Sequence, residues 1–456
     1  MKNLQRLPDF DRRTFLKGGS FSTLMSMLGA VPLVAQEKPK DAPAVKPVGR
    51  TVNCGVIGLG PWGREIVATL ARFQEAHIVA VCDTYPAMVK RGQQSAPKAV
   101  ATDDYRTVLA NKDVEAVFIA TPTHLHREIA VAALKAGKHV YCEAPLAHTI
   151  EDARAIAQAA KDSFRSVFQA GLQARSHPQR HFLLQFIRSG AMGKPVLARA
   201  QWHKKQMWYF TSPNPEREKE INWRLNRKIS VGLIGELGIH QLDTARWFLD
   251  SRPLAVTGFG SLIHWKEGGR DVPDTVQAVF EHQGGVNLLF DCTIASSYET
   301  ESETYYGSDS AIMVRDNKAW MFKEVDAPLL GWEVYARKDS FYKETGIALV
   351  ANASKLEALG DSAGDDAAAA SNALAFALEA FLGNAGKVSS AVKDFKENFG
   401  DDAEALKEYL ADIHKTRLPA AGYQEGFESA VVAIKANEAI LGKKRIEFQK
   451  EWFALA

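Results

Sequence analysis

Residues Thr51 to Gly63 run Thr-Val-Asn-Cys-Gly-Val-Ile-Gly-Leu-Gly-Pro-Trp-Gly, an apolar stretch that ends in a glycine-rich turn. A short continuous apolar run bounded by glycines reads as a strand buried on both faces, as parallel sheets require. The apolar positions of Gly63–Phe73 then recur at helical spacing. The two periods alternate from there: a strand at His77–Cys82, helices over Pro86–Gly92 and Asp104–Asn111, and a strand at Val114–Ala120. A helix over Glu128–Ala136 stopped by Gly137, a strand at His139–Cys142, a helix over Glu151–Lys161 and a strand at Ser166–Ala170 follow. This βαβ alternation predicts an open, doubly wound parallel sheet with right-handed crossovers over 51–170.

Beyond Gly171 the pattern changes. A helix is expected over Arg180–Ser189, and Val196–His203 alternates as a half-buried strand does. Val256–Ile263, Thr275–Glu281, Val286–Ala295 and Ala311–Arg315 have strand character, with Gly284-Gly285 as a hairpin turn. Helices are expected from about Gly235 to Leu249, over Ser371–Leu382 and Ala403–Ile413, and over Gly422–Leu441. Gly360–Ala370 reads as a surface loop, and the charged stretch from Gly383 to Ala403 has no evident role. The expected fold is thus α/β followed by α+β. A second, largely antiparallel open sheet with flanking helices occupies 171–456 and carries a helical insertion at about 340–420.

The first 50 residues belong to neither pattern. Arg12-Arg13-Thr14-Phe15-Leu16-Lys17 precedes a modest apolar stretch, Phe21 to Ala35. A twin arginine at that distance from an apolar run is the address of the twin-arginine export pathway. The run is too short and too interrupted by Ser, Gly and Pro for a membrane span. Residues 1–35 therefore read as an export signal cleaved near Ala35, and 36–50 as a Lys-, Pro- and Ala-rich linker. The resulting expectation is a periplasmic or otherwise exported protein with no membrane span in its mature chain. That route carries folded proteins, so a nucleotide could be loaded inside and travel out bound.

Composition changes little. The formal net charge is +2, and the first 35 residues carry five basic and two acidic residues, a net +3, leaving about −1 without them. No nucleic-acid or anionic-membrane footprint follows from that. The four cysteines, Cys54, Cys82, Cys142 and Cys292, show no C-x-x-C spacing and fall in or at the ends of expected strands. They read as buried thiols, with a single disulfide as the lesser alternative.

The first strand–helix junction carries the first candidate chemistry. Gly58, Gly60 and Gly63 have the G-x-G-x-x-G spacing, with Pro61 and Trp62 between them. In such a turn the first glycine allows the bend, the second lets the backbone approach a pyrophosphate, and the third lets helix and strand pack closely. The N–H groups and positive dipole end of the helix favour the phosphates. Asp83 ends the second strand twenty positions beyond Gly63. An acidic residue there bonds the ribose hydroxyls and repels a 2′-phosphate, which favours NAD over NADP.

Four motifs in order then become specific. Gly58–Gly63, the Thr-Pro-x-x-x-His of Thr121–His126, Gly-Lys-His-Val at Gly137–Val140 and Glu143-x-Pro145 resemble the glucose–fructose oxidoreductase / inositol dehydrogenase / MocA family. The match covers roughly Val52 to Ile263 and resumes near the C-terminus. The resemblance implies a Rossmann domain and an α+β domain whose sheet faces the nicotinamide. It also implies that Thr121, Pro122, His126 and Glu143 line the cofactor, with Arg175 near it. One departure stands out: the family's Glu-Lys-Pro is Glu143-Ala144-Pro145 here. In relatives that lysine handles the proton of the substrate hydroxyl, and a methyl group cannot.

The second domain holds the candidate acid–base groups. Glu236, His240 and Asp243 at i, i+4 and i+7 share one face of the expected helix. Histidine titrates near neutrality, and a carboxylate beside it tunes and orients it. His240 is the candidate general base, supported by Glu236 or Asp243; a purely structural hydrogen-bonded trio is the competing reading. Relatives carry Asp where Glu236 stands. A lone histidine among carboxylates is a poor metal set, and none is expected. Met207–Lys228 reads either as a lid, with Trp223 and Arg224 as candidate substrate contacts, or as an ordinary packed loop. His177, before Pro178, reads most simply as a loop histidine.

Three functions remain open at this stage. The first is hydride transfer between a sugar or cyclitol and a tightly bound NAD. The second is an NAD-assisted glycosidase or lyase working through a transient keto-sugar. The third is a non-catalytic nucleotide- or sugar-binding homologue, motivated by Ala144. Relatives often associate, so a homo-oligomer is expected.

Overall fold

In the computed structural model the described residues are 50–349, apart from 316–317, 332, 334–335, 337 and 342–343, and 373–455. The expected export signal, nearly all of the expected linker and the Gly360–Ala370 loop lie outside them.

The first sheet has strands β1 (Val52–Ile57), β2 (Ala76–Cys82), β3 (Val100–Thr102), β4 (Ala116–Ile119), β5 (His139–Cys142) and β6 (Phe168–Ala170). Their order is β3-β2-β1-β4-β5-β6, and every pairing is parallel. β1 and β4 are buried along nearly their whole length, which is why their sequences show no alternation. The order reverses at β1, with β2 on one side and β4 on the other. Open α/β sheets bind ligands at the carboxyl ends of strands at that switch point. Gly58 follows β1 there, Thr121 follows β4 closely, and Glu143 follows β5 directly.

The second sheet has β7 (Pro195–His203), β8 (Ala255–Ser261), β9 (Thr275–Glu281), β10 (Asn287–Thr293), β11 (Glu301–Gly307), β12 (Ser310–Arg315), β13 (Lys318–Lys323), β14 (Lys338–Phe341), β15 (Glu344–Leu349) and β16 (Ile446–Glu447). Its ten strands run in the order β14-β15-β13-β12-β11-β7-β10-β9-β8-β16. Only β7 and β10 pair in parallel. One face is packed: Val276, Ala278 and Phe280 of β9 and Leu288, Phe290 and Cys292 of β10 are buried in the core that also holds the helix Tyr423–Gly442. Gly284 and Gly285 turn the β9–β10 hairpin with φ of 75° and 82°.

Three expectations are corrected. The helix expected from Gly235 to Leu249 is broken into Gly232–Glu236 and Ile239–Phe248, because Leu237 leaves helical geometry (φ −124°, ψ −52°). The charged stretch after Gly383 is no separate insertion. It continues a 27-residue helix, Ala373–Phe399, which lies on the first sheet rather than the second. Phe381 packs edge-on against Phe118 at 5.1 Å and Tyr141 at 5.8 Å, while Leu374 and Leu378 join the core around Val52. Finally, β11 fills the stretch after Ala295 to which no strand was assigned, and β13 to β15 extend the sheet past Trp320.

All four cysteines are buried and unpaired. No helix among the described residues is long and apolar enough to cross a membrane.

Candidate active site

The glycine turn has the shape a dinucleotide needs. Gly58 has φ +92°, and a Cβ on it would lie 2.7 Å from the Ala120 backbone. A Cβ on Gly63 would lie 1.8 Å from the Gly58 carbonyl oxygen, so the helix Pro61–Leu70 can seat on β1 only without one. A Cβ on Gly60 would meet nothing within 4 Å, which leaves room for a phosphate to approach the backbone. No side chain caps that helix, so its first N–H groups are left for a ligand. Asp83 closes the turn: one carboxylate oxygen accepts from the Leu59 N–H at 2.8 Å, the other from the Tyr85 N–H at 2.9 Å. Each oxygen keeps an acceptor position for a ribose hydroxyl. Gly58, Gly60, Gly63 and Asp83 thus form one cradle that fits the adenosine and pyrophosphate of NAD.

A cavity of about 540 Å³ opens beside this cradle, between the two sheets. Trp62, Thr121, His126, Glu143 and Ala144 line it from the nucleotide domain, and Glu236, His240 and Arg224 from the second. Sequence positions more than a hundred residues apart therefore meet on one void. Glu236 joins the two walls: its carboxylate accepts from the Thr123 hydroxyl at 3.0 Å and from the Val231 N–H at 3.1 Å. Burial raises its pKa, and nearby Arg224 and these donors pull it back.

Burial lowers the pKa of His240, with Asp243 opposing. A histidine held below its usual range is neutral at pH 7 and can accept a proton. Glu143 is pushed up to about 7 by burial, against the Trp62 indole, the Ala144 N–H and the Tyr141 hydroxyl. His126 is fully enclosed, its ring nitrogens 2.9 Å from the Pro145 and Thr121 carbonyl oxygens. Burial drives its pKa down to about 4, so it is neutral and only one nitrogen can donate at a time. It clamps the loops after β4 and β5 together rather than exchanging protons with a ligand. Ala144 presents only a methyl to the cavity, with no group to exchange a proton.

Other candidates are placed elsewhere. Asp243 faces away from the cavity into a buried ion-pair network. The Arg175 guanidinium meets it bidentately at 2.8 Å and 2.8 Å, Arg246 at 3.1 Å, and the Ser429 hydroxyl at 2.8 Å. These partners hold its carboxyl down at about 2. Arg175, expected near the cofactor, is consumed by that pair and by stacking on Trp247 at 4.8 Å. Within the helix Ile239–Phe248 the cavity takes the side that carries His240, Gln241 and Thr244, and Asp243, three positions after His240, falls outside it. Pro122 begins the Thr123–Leu125 turn and does not line the cavity. Trp223 is buried behind Arg224, whose guanidinium lies 4.4 Å from its ring.

The cavity also holds groups that sequence reasoning missed. Glu301 and Glu303 enter from β11; Gln241 donates to Glu301 at 2.7 Å, and Arg180 and the Tyr305 hydroxyl bond Glu303 at 2.6 Å and 3.0 Å. The signal was the i, i+2 spacing of two carboxylates, which puts both on one face of a strand. His177 both lines the cavity and caps the helix Pro178–Arg188, its Nδ1 accepting from the Gln179 N–H at 3.1 Å. Among the described residues no group of three or more His, Cys, Asp or Glu is placed to hold a metal.

Comparisons with known proteins bear on both halves. Residues 52–170 match the profile described as an oxidoreductase family with an NAD-binding Rossmann fold, and 182–313 the GFO/IDH/MocA C-terminal domain. Levoglucosan dehydrogenase of Pseudarthrobacter phenanthrenivorans is 31% identical over 205 residues, 41% of this chain and 50% of that protein. The alignment thus spans only half of that relative. Inositol 2-dehydrogenase 1 of Saccharopolyspora erythraea is 30% identical over 255 residues, 54% of this chain and 69% of the relative. A solved structure of levoglucosan dehydrogenase in complex with NADH superposes with a TM-score of 0.65, covering 88% of this chain and all of that one at 20% identity. That likeness establishes the fold. Paired motifs, both domains and the relatives converge: this chain belongs to the Gfo/Idh/MocA family of NAD-binding oxidoreductases.

Proposed function

We propose that the protein is an exported oxidoreductase that moves a hydride between a sugar or cyclitol and an NAD it keeps bound. One observation carries the reading: His240 and Glu236 of the second domain line the same cavity as Thr121 and Glu143 beside the dinucleotide cradle. The relatives named for levoglucosan and inositol support a polyhydroxylated ring as substrate. NAD held there supplies the hydride acceptor. The chain's own part is orientation and proton transfer. His240, neutral at pH 7, takes the hydroxyl proton. Glu236 is held between Thr123 and Val231 and fixes the wall beside it. Export is supported by Arg12–Lys17 and the apolar stretch after them. Outside the cytoplasm no free nicotinamide pool is expected, so the cofactor must be reset at the same site by a second substrate.

The test is His240→Ala. Loss of this base should lower kcat by about 100-fold or more while NAD still binds. Turnover kept at the wild-type level would remove His240 from the role.

A second reading has one observation of its own. Glu143, its carboxyl pushed up to about 7 by burial, lines the cavity beside Ala144. A carboxyl in that range can protonate a leaving group, as an NAD-assisted glycosidase or lyase requires. Release of a chromogenic aglycone without net change in NADH absorbance would select it over the first.

A further inference from the structure

The long segment Met207–Lys228 does more than wall the substrate cavity. It braces itself: the Glu218 carboxylate accepts from the Tyr209 hydroxyl at 2.6 Å and the Ser212 N–H at 2.8 Å. The Asn222 amide exchanges two 2.8 Å bonds with the Phe210 backbone. Near its far end, Asp271 accepts from the Arg227 N–H at 2.8 Å. Arg224 of this strap faces the cavity. Arg217, seven positions earlier, reaches across to the nucleotide domain. Its guanidinium lies 3.6 Å from the Asp83 carboxylate and 3.5 Å from the Thr84 hydroxyl, over the Tyr85 ring at 4.7 Å. Glu220 pairs with it at 3.1 Å. The side chain is only 17% exposed, and its Nε is buried with no hydrogen-bond partner among the described residues. Three consecutive positions, Asp83, Thr84 and Tyr85, thus receive a cation from the second domain.

We propose that Arg217 is part of the NAD site, a clamp from the second domain that holds the adenosine ribose against Asp83 and slows cofactor release. This rests on the reading above, in which NAD stays bound through turnover. The chemistry is direct. A guanidinium stacked on an aromatic ring is a planar, pre-organised donor with a fixed place. Ribose hydroxyls accepted by Asp83 would come within reach of this guanidinium, and the second domain would then close over the nucleotide. Because the same strap carries Arg224 into the cavity, adenosine grip and substrate wall belong to one rigid piece of chain.

The experiment measures NAD⁺ and NADP⁺ affinity and the NADH dissociation rate, by nicotinamide fluorescence, for the full-length wild type and Arg217→Ala. The clamp predicts NAD⁺ affinity weakened roughly tenfold, with most of the change in a faster NADH release. Arg217→Lys, which keeps the charge but loses the planar face, serves if the alanine variant does not fold, and should release NADH severalfold faster than wild type. Unchanged NAD⁺ affinity and release overturn the clamp, as does a loss confined to NADP⁺, which would make Arg217 a reader of a 2′-phosphate. The two claims separate cleanly. If wild type loses NAD on gel filtration yet Arg217→Ala binds it more weakly still, the clamp stands and the retention reading falls. If both proteins keep NAD equally, retention stands and the clamp falls.

Discussion

Burial holds the Glu143 carboxyl near neutrality, and that has a sign that can be worked out. Its folded pKa, about 7, lies above its ordinary value of 4.5. The folded state therefore binds a proton that the unfolded chain has released between those two values. Stability from this group is fully present below about pH 4.5 and is lost as pH rises through about 7. The difference amounts to roughly 3 kcal/mol at most. Glu143→Gln removes the titrating group, so its unfolding free energy, measured by urea denaturation without cofactor at pH 5 and pH 8, should fall by less than that of wild type. An equal fall in both would place the titration elsewhere. His240 behaves oppositely for activity: with its pKa lowered by burial, kcat/KM should hold to below pH 6.5 before protonation removes the base.

Among the elements, the helix Ala373–Phe399 is the one whose role the structure redefines. Its sequence is a mixture of apolar and charged positions that reads as a helix, yet nothing in it names the surface it covers. Only the fold shows that Leu374, Leu378 and Phe381 complete the core of the nucleotide domain. The Gln169 amide donates to the Ala377 carbonyl at 2.8 Å, and the Ser389 hydroxyl lies 2.8 Å from the His139 ring, which fixes its register. Phe381→Ala should cost about 3–5 kcal/mol, measured as a lower Tm, and should loosen NAD as well, because the helix supports the sheet that carries the cradle. A Tm loss typical of a surface site would mean that the helix is a removable attachment. The broken helix at Leu237 is the other element-scale decision. The chain turns between Glu236 and His240 and both still line the cavity, while in the helix after the turn Gln241 and Thr244 share the cavity with His240 and Asp243 does not.

Across the whole molecule, Asp243 ties three distant stretches together. Arg175 comes from the segment that joins the domains, Arg246 from the same helix, and Ser429 from the helix Tyr423–Gly442. Arg246 and Arg252 also pair with Glu428 of that last helix. Removing one partner of a buried pair leaves an uncompensated charge. Asp243→Asn should therefore cost about 3–5 kcal/mol of stability while the folded fraction keeps its kcat. A large drop in kcat with unchanged stability would return Asp243 to the catalytic set. The carboxyl, held at about 2 against its ordinary 3.8, contributes stability above pH 3.8 that is lost as pH falls through 2.

The nucleotide half was legible because its information is local. An apolar strand, a glycine turn and an acidic residue at a fixed distance each act within a few tens of residues, and Gly58, Gly63 and Asp83 lie where that spacing implies. His240 and Glu236 were legible through motif order, and the cavity includes both. Asp243 and Arg175 were not, because their pairing with each other and with Ser429 is a contact between segments far apart in the chain, and the helical period alone does not say that the cavity takes the His240, Gln241 and Thr244 side. Glu301 and Glu303 were missed because β11 has a weak alternation and its partner β7 lies about a hundred residues away. By itself the sequence determined the βαβ order, the dinucleotide cradle and the candidate pair Glu236 and His240 that the cavity includes. Only the tertiary structure decided which carboxylates face the void, which helix covers the nucleotide sheet and that Arg217 reaches Asp83, because each of those depends on contacts between segments whose separation along the chain carries no periodic signal.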